Sequence, residues 1–144
     1  MRRILAGPLG WDTGLIVTLI RTITVDCADV DLVGRFWQTV LGWPLEVEPD
    51  GSDAFLENPA GGPNLLFQRV PEPKTVKNRM HLDLGPTDRT RDEEVERLLA
   101  AGATVYADHR RPDGTGPDGT GWVTMTDPEG NEFCVERSDA ERSG

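Results

Sequence analysis

The chain has 144 residues, of which 37% are hydrophobic and 28% charged, and its net charge at pH 7 is −10. This size and composition are typical of one globular domain or two tightly packed half-domains, and they exclude a disordered chain. The acidic excess argues against nucleic acid and anionic membranes as partners, because both are bound by clustered Lys and Arg. Two cysteines, Cys27 and Cys134, are too few for a disulfide framework and favour a reducing, cytoplasmic location.

The first half of the chain has the pattern of a βαβββ unit. Alternating apolar and polar residues predict a strand over Leu19–Cys27, and a helix follows from about Val30 to Leu41, capped by Asp29 or Asp31. Turns rich in Pro and Gly then separate three short predicted strands, at Leu45–Glu48, Ala54–Glu57 and Asn64–Val70. Residues 19–70 therefore form a predicted first module, and residues 1–18 an N-terminal extension outside the fold.

The same order of elements returns after a proline-containing crossover linker at 71–78. Residues 79–137 form the predicted second module, followed by a C-terminal tail at 138–144. Its strand, helix and three further strands are expected at Arg79–Leu84, Asp92–Ala101, Thr104–Ala107, Gly121–Thr126 and Glu132–Glu136. The helix-ending Gly42 and Gly102 lie 60 residues apart, which indicates a duplicated unit. The glycine-rich loop Arg110–Thr120 is either a lid over a site or a tolerated insertion.

These elements predict an α+β fold in which two βαβββ modules form a U-shaped mixed sheet around a cleft, with one helix per module on the outer face. Alternation along each strand then divides the side chains between the two faces. The helix side is expected to carry Ile23, Val25, Met80, Leu82, Leu84, Val123, Met125, Phe133 and Val135. The cleft side is expected to carry Thr22, Thr24, Asp26, Arg79, His81, Asp83, Trp122, Thr124, Glu132, Cys134 and Glu136.

Several stretches resemble the vicinal oxygen chelate superfamily of glyoxalases, bleomycin-resistance proteins and extradiol dioxygenases, and its glyoxalase-like group in particular. The stretches that carry the resemblance are Thr22–Asp29, Phe36-Trp37, Leu41–Trp43, Met80–Leu84 and Asp127–Val135. The resemblance implies paired βαβββ modules. In metal-dependent members it also implies one divalent ion, held by the first and last strands of each module and acting as a Lewis acid.

The metal positions implied by the resemblance correspond to Thr22, a residue near Gln68, His81 and Cys134. Only His81 is a strong ligand there, because Thr is a poor ligand, Gln is weak and Cys134 replaces the usual Glu. Zinc normally needs three good protein ligands. We therefore expect no metal or other cofactor. The alternative is a divalent ion (Zn, Ni, Mn or Fe) at His81, Cys134 and Gln68.

Three side chains of the expected cleft face are candidates for acid–base chemistry: His81, Glu132 and Glu136. Histidine titrates near neutrality, and paired carboxylates can divide general acid and base roles. The simpler alternative is a hydrogen-bonded wall histidine with solvated rim carboxylates. Contacts with a ligand are expected from Thr22, Asp26, Gln68, Arg79, Asp83, Trp122 and Cys134.

Two functions stay open at this point. One is a binding protein of the bleomycin-resistance type, which holds an oxygenated metabolite or an antibiotic in the cleft without metal and without chemistry. The other is a metal-dependent lyase, isomerase or dioxygenase of the glyoxalase type. The weak set of metal ligands favours the binding protein. Whether the chain is an enzyme is left undecided. By analogy with the family, we expect the chain to form a homodimer.

Overall fold

The computed structural model describes residues 18–111 and 120–142. Most of the expected N-terminal extension and most of the glycine-rich loop lie outside the described residues. The first module contains β1 (Thr22–Cys27), α1 (Val30–Leu41), β2 (Leu45–Val47), β3 (Asp53–Leu56) and β4 (Asn64–Arg69). The second contains β5 (Asp83–Leu84), α2 (Arg91–Ala101), β6 (Thr104–Asp108), β7 (Val123–Thr126) and β8 (Glu132–Val135), and the short α3 (Asp139–Arg142) follows in the predicted C-terminal tail.

The strands form two four-stranded mixed sheets with equivalent topology, in the orders β1-β4-β3-β2 and β5-β8-β7-β6. The first and last strands of each module pair in parallel, and the remaining neighbours pair antiparallel. This arrangement confirms the two predicted βαβββ modules. Among the described helices, none has the length and apolarity that a membrane crossing requires.

The first strand of each module is shorter than predicted. β1 begins at Thr22 rather than Leu19, and only Asp83 and Leu84 of the predicted strand Arg79–Leu84 have ladder partners in β8. Alternation alone cannot locate these ends, because a polar–apolar pattern continues where no neighbouring strand is available. Met80, expected on the helix side, is 81% exposed. That prediction is wrong, since Met80 precedes the paired part of β5.

The two longer helices, α1 and α2, begin and end where the sequence predicts, within one residue. The side chain of Asp29 accepts a bond from Leu32 N and caps α1, while Thr90 and Glu93 form a capping box at the start of α2. Both α1 and α2 end at a glycine of positive φ, Gly42 and Gly102 respectively. The caps fix the length of each helix and so fix which apolar residues face the core.

Aromatic side chains join the two modules through one buried core. Phe36 and Trp37 of α1 pack on Phe133 of β8, with ring centroids 6.1 and 5.1 Å apart. Outside the core, the guanidinium of Arg97 donates to the carbonyls of Thr39 (2.7 Å) and Val40 (3.0 Å), which ties α2 to the end of α1. The modules are therefore packed against each other by apolar contact and by hydrogen bonds.

The turn between β7 and β8 also connects the modules. Asp127 is buried and accepts bonds from Trp37 Nε1 (3.1 Å) and from Asn131 Nδ2 (2.9 Å). The carboxylate of Glu129 accepts bonds from the backbone N–H groups of Ala28 (2.7 Å) and Asp29 (2.8 Å), at the start of α1. The turn thus holds the first helix of the other module in place.

Candidate functional site

The polar face of the second sheet gathers four side chains with potential for binding or chemistry. Asp83 of β5 and Thr124 of β7 are both register partners of Cys134 in β8. His81 precedes β5, two residues before Asp83, and its Nδ1 lies 3.0 Å from Asp83 Oδ1 and 3.7 Å from Cys134 Sγ. The hydroxyl of Thr124 lies 3.4 Å from the same sulfur. The predicted convergence of His81 and Cys134 is what the structure shows.

A cavity of about 430 Å³ lies over this face, and we call it the polar-face cavity. His81, Asp83, Thr124 and Cys134 lie on its floor. Its other lining residues are Lys77, Tyr106, Ala107, His109, Trp122 and Glu136. Rigid aromatic walls with a few convergent polar groups are typical of small-molecule sites.

The aromatic wall depends on a close approach of two backbone segments. The rings of His109 and Trp122 are stacked with centroids 4.7 Å apart, and His109 N donates to Trp122 O at 2.9 Å. Gly121 has φ +90°, and a Cβ added there would lie 2.0 Å from His109 O. Only glycine permits both this backbone conformation and this contact. The stacked pair therefore depends on Gly121.

Cys134 is held as a thiol rather than a thiolate. Burial raises the pKa of the Cys134 thiol and the negative charge of Asp83 raises it further, while the bond with Thr124 opposes both. A thiol with a raised pKa is a poor nucleophile. In the first module, burial and the nearby Glu129 raise the pKa of Cys27 to about 12, so that thiol is inert as well.

Glu132 does not share this cavity, although it was predicted as a possible base beside His81. Its buried carboxylate accepts bonds from Lys74 Nζ (3.0 Å) and Asn78 N (2.9 Å), both in the crossover linker. Burial opposes its charge, but the bonds from Asn78 and Lys74 hold the pKa of Glu132 below its ordinary value. The side chain is engaged in holding the linker. Of the two predicted bases, Glu136 is the one in the polar-face cavity.

A second cavity, of about 540 Å³, lies between the modules and beneath the crossover linker, and we call it the intermodule cavity. Asp26, Arg79 and Glu132 line it, together with apolar residues of β1 and the core, and His81 and Lys77 border both cavities. Asp26 and Arg79, predicted as cleft residues, therefore lie at this second site.

The first module contributes no side chain to the lining of the polar-face cavity in the described part of the chain. Thr22 lies opposite Asn64, and Gln68 opposite Asp26, within the first sheet; neither lines either of the two cavities. The four positions that the resemblance implies for a metal are thus not brought together within these residues. Instead, His81, Asp83 and Cys134 each offer a ligand atom within 4.8 Å of the others.

Lys77 and Tyr106 are among the lining residues that the sequence analysis missed. Tyr106 lies at a β-bulge between Val105 and Ala107, where the register of β6 with β7 shifts, so alternation along the predicted strand Thr104–Ala107 does not assign its face. Lys77 lies in the linker, where no periodic pattern indicates a direction. Trp122, predicted as a ligand contact, does line the cavity.

The family model of the glyoxalase-like domain matches residues 22–136, and the chain belongs to this family. No curated protein shows a significant match. The fold resembles a glyoxalase/bleomycin resistance protein/dioxygenase family enzyme from Burkholderia phytofirmans PsJN, with TM-score 0.61, 19% identity and coverage of 82% of this chain and 97% of that one.

Two further solved structures have the same fold. A point mutant of the fosfomycin resistance protein FosX from Listeria monocytogenes, in complex with Mn(II) and 1S,2S-dihydroxypropylphosphonic acid, has TM-score 0.64 and 16% identity, over 89% of this chain and 95% of that one. A lactoylglutathione lyase from Agrobacterium tumefaciens has TM-score 0.57 and 21% identity, over 86% of this chain and 96% of that one. At these identities the similarity shows the fold alone.

Proposed function

We propose that the chain is a glyoxalase-like small-molecule-binding protein that takes an oxygenated metabolite or an antibiotic in the polar-face cavity, without requiring a metal ion. The observation that carries this proposal is the cavity itself, which has polar groups on its floor and aromatic side chains on its wall. Its volume of about 430 Å³ lies within the range of ordinary ligand sites.

The lining residues indicate what such a ligand offers. Tyr106 and Trp122 are exposed, so a ring or hydrocarbon body laid against them would bury apolar surface at little cost in side-chain entropy. Lys77 and the Thr124 hydroxyl can donate to ligand oxygens, and His81 can donate or accept. A compact molecule with one apolar face and two or more oxygens fits these groups. FosX, which shares the fold, was solved with a ligand rich in oxygen atoms.

A second candidate is a metal-dependent lyase, isomerase or dioxygenase of the glyoxalase type. The observation that favours it is the approach of His81, Asp83 and Cys134. In that case Glu136 would be the carboxylate available as a base, because Glu132 is bonded to the linker.

We propose a homodimer as the working form. β1 and β5 each pair with one strand only, and such open edges are commonly covered by another chain. Exposed apolar side chains precede both strands in the sequence: Leu19 and Ile20 come before β1, and Val76 and Met80 come before β5. The cytoplasmic location expected from the cysteine content stays a prediction.

The ligand site can be tested by titrating a panel of oxygenated metabolites, phosphonates and antibiotics in the presence of EDTA, with tryptophan fluorescence and calorimetry as readouts. We expect at least one compound to bind in EDTA. Trp122→Ala should weaken its binding at least tenfold, equivalent to about 1.4 kcal/mol, because a stacking surface is lost. Leu32→Ala, at an exposed position of α1, is the matched control and should bind normally.

Three results would decide against this proposal. Absence of binding across the panel would contradict it, and so would undiminished affinity in Trp122→Ala combined with Tyr106→Ala. Binding that disappears in EDTA and returns with a divalent ion would replace it by the second candidate.

A further inference from the structure

We infer that a cavity lined by arginines, where β7 begins and β8 ends, binds an oxyanion group of the ligand that the polar-face cavity takes. This inference rests on the proposed function and narrows its ligand to an apolar body that carries a phosphate, a sulfate or a carboxylate. The cavity has a volume of about 430 Å³, and we call it the arginine cavity. The residues of its lining that matter here are Arg111, Arg137, Arg142, Thr120, Trp122 and Glu136.

Positive charge is concentrated in this cavity although the chain is acidic overall. The sequence has 15 Lys and Arg against 25 Asp and Glu, and a net charge of −10. The described lining of the arginine cavity reverses this balance, with three arginines and one carboxylate, that of Glu136. Arg142 Nη2 lies 2.5 Å from Glu136 Oε2, so this carboxylate is itself paired. An anion is therefore the ligand group that the lining favours.

Arg137 is the arginine with the most donors left for a ligand. In the described part of the chain its guanidinium makes one long bond, from Nη1 to Glu141 O at 3.4 Å. A guanidinium has five N–H donors in a planar fork that matches two oxygens of a phosphate or a carboxylate. Arg142 Nε donates to Arg137 O at 3.3 Å, so the two residues lie side by side.

A buried hydroxyl in the lining also lacks a hydrogen-bond partner. Thr120 Oγ1 is buried and has no partner among the described residues. Buried polar atoms are nearly always paired, so such an exception needs an explanation. The backbone of Thr120 is held in place, because its carbonyl accepts bonds from Arg91 Nη1 (2.9 Å) and Arg111 N (3.1 Å). An oxyanion in the cavity would accept the missing bond after rotation of the hydroxyl.

The C-terminal segment that carries two of the arginines is fixed against the second module. Ser138 is buried, and its hydroxyl accepts a bond from Glu141 N (3.2 Å) in α3. The Glu141 carboxylate in turn accepts a bond from Arg91 N (2.8 Å), at the start of α2. Arg137 and Arg142 are thus presented from an anchored segment, which lowers the entropy lost when they bind an anion.

The arginine cavity adjoins the polar-face cavity. Trp122 and Glu136 line both of them. Val123 and Val135 are register partners in β7 and β8, and Trp122 and Glu136 come next to this pair at the end of the sheet. One ligand can therefore rest its apolar body against Trp122 and direct its oxyanion to Arg137.

The test titrates the full chain, in EDTA, with four probes that share one aromatic ring: phenylphosphate, benzoate, phenol and benzylamine. Calorimetry measures the affinities. We expect at least one of the two anions to bind at least tenfold more tightly than phenol and benzylamine, because charge-assisted hydrogen bonds form only with the anions. The tighter anion identifies the oxyanion that the cavity prefers.

Variants assign the binding to the cavity. Arg137→Ala should weaken the tighter anion at least tenfold, whereas Glu136→Gln should tighten it, because a carboxylate that competes for Arg142 is removed. Thr120→Val should weaken it without loss of stability, since that hydroxyl has no described partner to lose. Arg35→Ala, on the exposed face of α1, removes the same charge elsewhere and should bind like the wild type. Circular dichroism checks folding.

Several results would overturn the inference. No binding of either anion would do so, as would equal affinity for the anions and phenol. Equal weakening in Arg35→Ala and Arg137→Ala would assign the effect to overall charge. Anion binding that depends on Arg137 but not on Trp122 would separate the two cavities. Binding of uncharged compounds through Trp122, with no preference for anions, would leave the proposed function standing, so the two failures are distinguishable.

Discussion

At the residue scale, Glu132 is a buried carboxylate that holds the crossover linker over the start of β8. His81, Asp83 and Cys134 converge because side chains alternate along β8 and along β5 with the residues just before it, and β5 and β8 pair in parallel. The same alternation assigned Glu132 to the cleft, but the carboxylate is bonded to Lys74 and Asn78. Linker residues have no periodicity, so their return over the start of β8 has no signal in the sequence.

The bond network of Glu132 predicts a loss of stability on substitution. Glu132→Gln should lower the free energy of unfolding by about 1–3 kcal/mol, because a buried charge-assisted acceptor is removed from Lys74 and Asn78. Urea denaturation at pH 7 measures this change. Glu136→Gln, whose partner Arg142 is exposed, is the control and should change it far less.

Acid should erase the difference between the wild type and Glu132→Gln. The pKa of Glu132 is lowered by folding, so its contribution to stability is complete above the ordinary Glu range and is lost as the pH falls through the lowered value. Denaturation series between pH 7 and pH 3 should show the two curves converging. A difference that persists or grows in acid would contradict this account of the carboxylate.

At the scale of elements, the turn between β7 and β8 does more than reverse the chain. Its Asp-Pro-Glu-Gly-Asn sequence identifies a turn without the structure. The bonds from Trp37 to Asp127, and from the two N–H groups just before α1 to Glu129, could not be predicted, because these contacts join residues about 90–100 positions apart in the sequence. The turn therefore sets the position of a helix in the other module.

Removal of the Glu129 carboxylate should therefore destabilise the first module. In Glu129→Ala, the N–H groups of Ala28 and Asp29 lose their acceptor and the positive end of α1 loses a compensating charge, at a cost of about 1–2 kcal/mol. Thermal and urea unfolding measure it. Glu96→Ala on the exposed face of α2 should stay within about 0.5 kcal/mol of the wild type. Equal effects of the two substitutions would refute the capping role.

At the scale of the whole molecule, the duplicated pattern was sufficient to predict two βαβββ modules, but not how they combine. Packing of Phe36 and Trp37 on Phe133 joins the modules through their helix sides. The space between modules is consequently divided into an intermodule cavity and a separate polar-face cavity. Strand periodicity assigns side chains to faces, but it does not say which faces of two sheets meet.

The proposed homodimer predicts a molecular mass in solution of twice the 15.8 kDa of one chain. Ile20→Lys combined with Met80→Glu should shift the protein toward the monomer, because charges replace exposed apolar side chains beside the strand edges that a second chain would cover. Sedimentation velocity measures both. Leu32→Glu, at an exposed apolar position of α1, should leave the mass unchanged. A monomeric wild type at all concentrations would exclude the dimer.

The close approach of the backbone at Gly121 to His109 restricts which substitutions this chain can accept over evolutionary time. Any Cβ at that position would meet the His109 carbonyl, so replacement requires the ends of β6 and β7 to be rebuilt together. The neighbouring side chains of Tyr106, His109 and Trp122 are exposed and carry no such constraint. Substitutions of Tyr106, His109 and Trp122 can therefore change which ligands bind, while position 121 must remain glycine.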